Sequence, residues 1–187
     1  MRRFYREAGA NLQFEFAPVF RKGSFRAAEA LVAIMIQEDA VKLLQQLGMT
    51  VSCAESCTGG LVAKRITDVP GASEVFPGGV VSYSNRVKSG LLGVSEELLK
   101  TTGAVSESCA ALMSKGVRAL MGTDIGISTT GYAGPDGEEV GLVYIAYSDD
   151  LHTVVRRLQL EGNRKHIRSQ AANAALSLMM EELKWRT

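Results

Sequence analysis

Apolar residues recur along the chain with two periods, and their alternation predicts the elements. Ala40, Val41, Leu43, Leu44 and Leu47 follow helical spacing from Gln37, and Gly48 stands where a helix C-cap glycine belongs. Thr50 to Ala54 reads as a short strand. Gly59 and Gly60 lead into a second helix running to about Asp68, which Pro70-Gly71 ends. A strand from Gly79 to Ser82 follows, then a short helix from Val87 to Leu92 and another behind the cap candidate Ser95. Ser106 is placed to cap a longer helix to Met121, with Leu112, Met113, Val117 and Leu120 on one face. Ile125 to Ser128 is apolar enough for a buried strand, and the turn residues of Gly131 to Gly137 mark a loop. Leu142 to Ala146 and Thr153 to Leu160 read as strands joined by Ser148-Asp149-Asp150, hence an antiparallel pair, and a final helix follows Gly162. Helices alternating with strands predict an α/β layered domain with a mixed sheet.

Composition narrows the class. In 187 residues, 46% hydrophobic and 22% charged, there is enough apolar side chain for a core, which excludes a mainly disordered chain. Twenty-one Lys and Arg against 20 Asp and Glu leave +1, so no general charge draws the chain to nucleic acid or to an acidic membrane. The longest apolar run, Ala27 to Ile36 with Glu29 inside it, falls short of the roughly 20 residues that cross a bilayer. Cys53, Cys57 and Cys109 form no paired C-x-x-C motif, and His152 and His166 lack metal-ligand spacing, which predicts a reduced, cytoplasmic protein with no metal site. The first 26 residues carry +4 and the remainder −3. An Arg-rich, acid-poor start suits a transit peptide, but the apolar run follows Ala28-Glu29-Ala30 instead of preceding it, the wrong order for a secretory signal. We therefore divide the chain into a poorly ordered extension, residues 1–34, and a domain over residues 35–187.

Candidate chemistry gathers at strand ends. Ala54-Glu55-Ser56-Cys57-Thr58-Gly59-Gly60 joins a strand to a helix, where free backbone N–H groups suit an anion or a developing oxyanion. Ser56 and Thr58 fit two roles there, a helix cap or a catalytic hydroxyl. Cys57 is a further nucleophile candidate, since a helix N-terminus lowers a thiol pKa. The loop has neither a Walker nor a dinucleotide pattern. Tyr83, Asn85 and Lys88 come close along the next strand–helix junction, which reads either as a turn with a solvated lysine or as the source of a base for a serine nucleophile. Ser128-Thr129-Thr130 is a third strand end rich in hydroxyls. Arg164, Lys165 and Arg168 put cations at a helix start, against the macrodipole, which a bound phosphate relieves and a solvated turn explains equally well.

At these residues the sequence resembles the C-terminal domain of the competence/damage-inducible CinA proteins, whose active members are nicotinamide-nucleotide amidases. The matching stretches, in family order from about Gln37, are the Ala54–Gly60 loop, Gly79 to Lys88, Gly103-Ala104-Val105-Ser106, Thr130 to Gly137, Val140 to Tyr144 and the turn at Arg164. The resemblance implies a three-layer α/β/α sandwich and a homodimer or larger homo-oligomer. It implies hydrolysis of nicotinamide mononucleotide to nicotinate mononucleotide and ammonia, with no metal or organic cofactor. Carried over by position, Ser56 is the nucleophile, Lys88 its base and Tyr83 a proton helper, while Thr130 and Arg164 bind substrate. Thr58, Gly59 and Gly60, as oxyanion donors, and Asn85 complete the expected substrate contacts. Neutral Lys88 requires burial, and Arg164 or Arg168 nearby adds to the shift. The sequence departs from the family in a shorter loop from Gly137 to Val140, in Tyr132 for a smaller aliphatic residue, and in Asn163 for Asp. Residues 1–34 do not resemble the N-terminal domain of longer members. A non-catalytic nucleotide-binding module of the same fold is the competing expectation.

Overall fold

The computed structural model describes residues 24–184, with side chains described from Met35. Its elements are α1 (Ser24–Leu47), β1 (Val51–Glu55), α2 (Leu61–Thr67), a 3-10 turn (Ala72–Glu74), β2 (Gly78–Val81), α3 (Asn85–Leu92), α4 (Glu96–Thr101), α5 (Glu107–Met121), β3 (Ile125–Gly131), β4 (Leu142–Ser148), β5 (Thr153–Gln159) and α6 (Arg164–Lys184). The extension expected over residues 1–34 lies outside the described residues as far as 23. From Ser24 the backbone is helical, and position 35 falls inside α1.

Five strands form one sheet in the order β2-β1-β3-β4-β5. β1 is parallel to both neighbours, and β3, β4 and β5 are successively antiparallel. The sheet is mixed, as its sequence pattern predicts. Helices α1, α2 and α6 cover one face and α3, α4 and α5 the other, making three layers. Alternation along β1 assigns its side chains: Cys53 belongs to the cluster that holds Leu44, Ile66 and Leu176, whereas Ala54 belongs to the one that holds Leu92, Met113 and Val117. Full burial of such an aliphatic side chain contributes about 1.5–3 kcal/mol, which holds each helical layer to the sheet. Among the described residues no helix is long and apolar enough to cross a membrane.

Local signals place most of the boundaries. Gly48 closes α1 with φ 63°, and the Ser95 and Ser106 hydroxyls accept from Leu98 N–H and Cys109 N–H at the starts of α4 and α5. The largest difference is β3, which continues past Ser128 to Gly131. Its polar residues stay buried because each hydroxyl has a partner: Ser128 donates to the Ala110 carbonyl at 2.7 Å, Thr129 pairs with Thr58 at 2.6 Å, and Thr130 donates to the Ala104 carbonyl at 2.7 Å.

Candidate active site

Between β1 and α2 the chain turns through Ser56 to Gly60. Glu55, the last residue of β1 and 1% exposed, sends its carboxylate over this turn to accept Gly60 N–H at 2.9 Å, Val62 N–H at 3.0 Å and Ala63 N–H at 2.8 Å. A charged acceptor thus caps α2, and Gly60, at φ 91°, supplies the cap position without a side chain. Neither Ser56 nor Thr58 caps the helix. The same bonds correct the expected oxyanion donors. Gly60 N–H is held by Glu55, and Gly59 N–H donates to the Ser56 carbonyl at 3.1 Å, so of Thr58, Gly59 and Gly60 only Thr58 keeps its N–H clear of the described residues.

Lys88 reaches this loop from α3. It is 2% exposed, and its Nζ donates to the Ser82 carbonyl at 2.6 Å and lies 3.0 Å from Ser56 Oγ. Burial lowers the Lys88 pKa from the ordinary lysine range, and the Cys109 and Cys57 thiols oppose that shift. No cation contributes, contrary to the expectation for Arg164 and Arg168. Arg164 is turned to the Gly134 carbonyl (2.6 Å) and the Tyr83 hydroxyl (2.9 Å), and Arg168 to the loop carbonyls of Cys57 and Thr58. A neutral lysine has two N–H bonds and one lone pair. With an N–H on Ser82, the lone pair can accept from the Ser56 hydroxyl.

Burial also decides against Cys57 as a thiolate. Its pKa is pushed up to about 11, chiefly by desolvation, with the Glu55 charge adding to it. The carboxylate on the α2 N-terminus removes the positive end that would have lowered that pKa.

The remaining expected residues fall into separate groups. Tyr83, 62% exposed, accepts from Arg164 and forms with it a second pair, bonded to neither Ser56 nor Lys88. Thr58 and Thr130 are buried, with their hydroxyls on Thr129 and the Ala104 carbonyl. Asn85 lines a depression of about 270 Å³ with Arg86, Ser89, Glu96, Leu99 and Lys100, a lining that includes neither Ser56 nor Lys88. Asn163 caps α6 by accepting His166 N–H at 3.0 Å. Glu55 and Arg168 shape the loop, although no local pattern announces either role. The two adjacent glycines were the available signal, because they mark a turn too tight for side chains and open to a cap from a distance.

A family model described as the CinA C-terminal domain matches residues 34–183. The chain belongs to the CinA C-terminal domain family. A competence-damage inducible protein, so named, of Caldanaerobacter subterraneus subsp. tengcongensis is 48% identical over 155 residues, which are 81% of this chain and 38% of that protein. A CinA-like protein of Kosmotoga olearia is 47% identical over 152 residues, 79% of this chain and 37% of its own length. This CinA-family chain therefore spans under two fifths of the length of these curated relatives. Among solved structures, the competence/damage inducible protein CihA from Agrobacterium tumefaciens superposes with a TM-score of 0.78 at 33% identity, covering 80% of this chain and 94% of that one. The competence damage-inducible protein A from Klebsiella pneumoniae gives 0.79 at 33% identity, covering 81% and 97%.

Proposed function

We propose that this CinA domain is an amidohydrolase that converts nicotinamide mononucleotide to nicotinate mononucleotide and ammonia. The observation that carries the reading is a lysine, buried with no carboxylate partner among the described residues, with its nitrogen 3.0 Å from a serine hydroxyl in a strand-to-helix loop. The substrate's identity rests on the family resemblance. An exposed cation, Arg164, at the start of α6 beside Tyr83 supports a phosphate-bearing ligand.

The neutral Lys88 amine takes the Ser56 proton as Oγ bonds to the carboxamide carbon, and the carbonyl electron pair moves to oxygen. Collapse breaks the C–N bond. The Lys88 ammonium returns its proton to the leaving nitrogen, ammonia departs, and an ester remains on Ser56. Water then attacks that ester with Lys88 as base, and cleavage of its C–O bond releases the acid and restores Ser56. The same reading makes the protein a cytoplasmic homodimer or larger homo-oligomer that acts on a small molecule without a metal or organic cofactor.

The test is ammonia release from nicotinamide mononucleotide, nicotinamide riboside and NAD, measured side by side for the protein and for Ser56→Ala. Release from the mononucleotide alone, lost in Ser56→Ala, is expected. Tight binding of the mononucleotide with no release from any substrate would instead make the domain a binding module.

A further inference from the structure

Arg168, near the start of α6, reaches the Ser56 loop from the layer opposite Lys88. Its Nε donates to the carbonyls of Cys57 at 3.1 Å and Thr58 at 3.2 Å, and its Nη2 also donates to Thr58. Gly59 permits this approach, since a Cβ there would stand 3.2 Å from Nη2. A trans peptide unit is planar, so a bond that fixes its C=O aims the N–H at its other end in the opposite direction. Arg168 therefore fixes the N–H groups of Thr58 and Gly59. Gly59 N–H in turn holds the Ser56 carbonyl at 3.1 Å, which fixes the Ser56–Cys57 unit and the Cys57 N–H with it. Three successive peptide planes are thus oriented, two by Arg168 directly and one through Gly59.

Among the described residues, the other donors of the loop are engaged. Ser56 N–H is on the Thr129 carbonyl at 2.9 Å and Gly60 N–H on Glu55 at 2.9 Å. Among the same residues Thr58 N–H meets no acceptor, and Cys57 N–H meets only its own sulfur. Folded chains rarely leave buried N–H groups in that state. Two neighbouring donors of this kind form a concavity suited to a negative oxygen. Thr58 is 0% exposed and Cys57 5%, so of the two residues Cys57 is the one that meets solvent.

We infer that Arg168 is a positioning residue, which orients the loop from the α6 layer so that the Cys57 N–H receives the oxyanion formed when Ser56 attacks. The inference deepens the amidase reading and rests on it. Arg168 itself touches no reacting atom. When Ser56 Oγ bonds to the carbonyl carbon, the electron pair displaced onto oxygen meets a donor whose direction is set in advance, which is the condition for strong electrostatic stabilisation.

The experiment compares the full chain with Arg168→Ala and Arg168→Lys in two assays. One is steady-state hydrolysis of nicotinamide mononucleotide across pH. The other is the rate at which a fluorophosphonate forms an O–P bond to Ser56 with loss of fluoride, a reaction that places a phosphoryl oxygen where the oxyanion would sit and needs no amide. In Arg168→Ala both kcat and the labelling rate fall about 100-fold, the size of effect that loss of one oxyanion donor produces. KM holds, and the basic limb set by Lys88 does not move. Millimolar guanidinium restores part of the rate, and Arg168→Lys, which keeps the charge without the fork, falls between the two. A raised KM at unchanged kcat, a displaced limb or an unchanged labelling rate in either variant overturns the inference. A parent protein that labels at Ser56 yet releases no ammonia sinks the amidase reading alone, because the labelling rates still decide the role of Arg168. If Arg168→Ala does not fold, Arg168→Lys carries the same comparison.

Discussion

Gly116 tests whether the Ser56–Lys88 pair depends on how α3 is seated. This residue lies in α5, where α3 crosses it, and a Cβ added there would stand 2.1 Å from the Leu92 carbonyl oxygen and 2.7 Å from its carbon. Real Cβ contacts are essentially never under 3.0 Å, so in Gly116→Ala the backbone of α3 must retreat by about 0.9 Å. Alanine improves helix propensity by about 1 kcal/mol, whereas overpacking against a main chain costs about 3 kcal/mol. The net loss of about 2 kcal/mol lowers Tm by about 4–8 °C in a domain of this size. The effect on chemistry is larger. Lys88 is one turn before Leu92, and the same retreat opens the 3.0 Å contact with Ser56 to as much as about 3.9 Å, beyond hydrogen-bond reach. A misplacement near 1 Å costs a rate about 100-fold. Thermal unfolding, turnover and fluorophosphonate labelling of Ser56 measure each part, with Gly90→Ala as the control, since a Cβ at Gly90 in the same α3 meets nothing within 4 Å. That control gains about 0.5–1 kcal/mol and keeps its rate. If Gly116→Ala melts at or above the parent temperature with undiminished turnover, the reasoning about the α3–α5 crossing is wrong.

Further expectations follow from burial at the site. The depressed pKa of Lys88 means that the unfolded chain binds its proton more tightly, so stability rises with pH between the folded pKa and the ordinary value of about 10.4. Lys88→Met is free of that penalty, and its stability advantage over the parent, measured by chemical unfolding across pH, is fully present below the folded pKa and shrinks toward pH 10; an advantage that does not change with pH refutes this. Cys57→Ser keeps most of the turnover that Ser56→Ala abolishes, because a thiol pushed up to about 11 stays protonated at neutral pH, and the reverse pattern in ammonia release moves the nucleophile to Cys57. Glu55→Ala leaves three N–H groups without their acceptor and lowers stability by at least about 2 kcal/mol in urea unfolding, while a smaller loss means that water replaces the carboxylate.

What the sequence disclosed is what neighbours along the chain decide. Gly48, Ser95 and Ser106 mark helix ends because a cap acts over a few residues, and the alternating elements announced a mixed sheet in layers. Polar Ser128, Thr129 and Thr130 masked the true end of β3, because burial of a hydroxyl depends on acceptors, Ala110, Thr58 and Ala104, that are distant in sequence. The same limit explains the loop. Serine and threonine before a helix suggest their own capping, whereas the carboxylate that performs it comes from the strand and is seen only once β1 and α2 are folded together. The resemblance named Lys88 as a base that burial would have to neutralise, but the burial that lowers its pKa is a tertiary property, and the cations of α6 add nothing to the shift.

The topology accounts for why three elements contribute to one loop. From β1 the chain passes through α2 to β2 on one side, then through α3, α4 and α5 on the opposite face to β3 on the other side. The carboxyl end of β1 is therefore a point where connections leave in opposite directions, and open α/β sheets form their crevices at such points. Ser56 stands at that end, one residue past the strand. From the two helical layers α3 and α6 each send a side chain to it, Lys88 to the hydroxyl and Arg168 to the carbonyls. Because the hydroxyl and the peptide planes that follow it are held from opposite faces, a shift of α3 and a change at Arg168 must injure different contacts of the one attack step. The first opens the proton-transfer contact, while the second leaves that contact in place and misdirects the donor for the oxyanion. Combining Gly116→Ala with Arg168→Ala should then multiply the two losses, as expected for independent sites on opposite faces of a sheet.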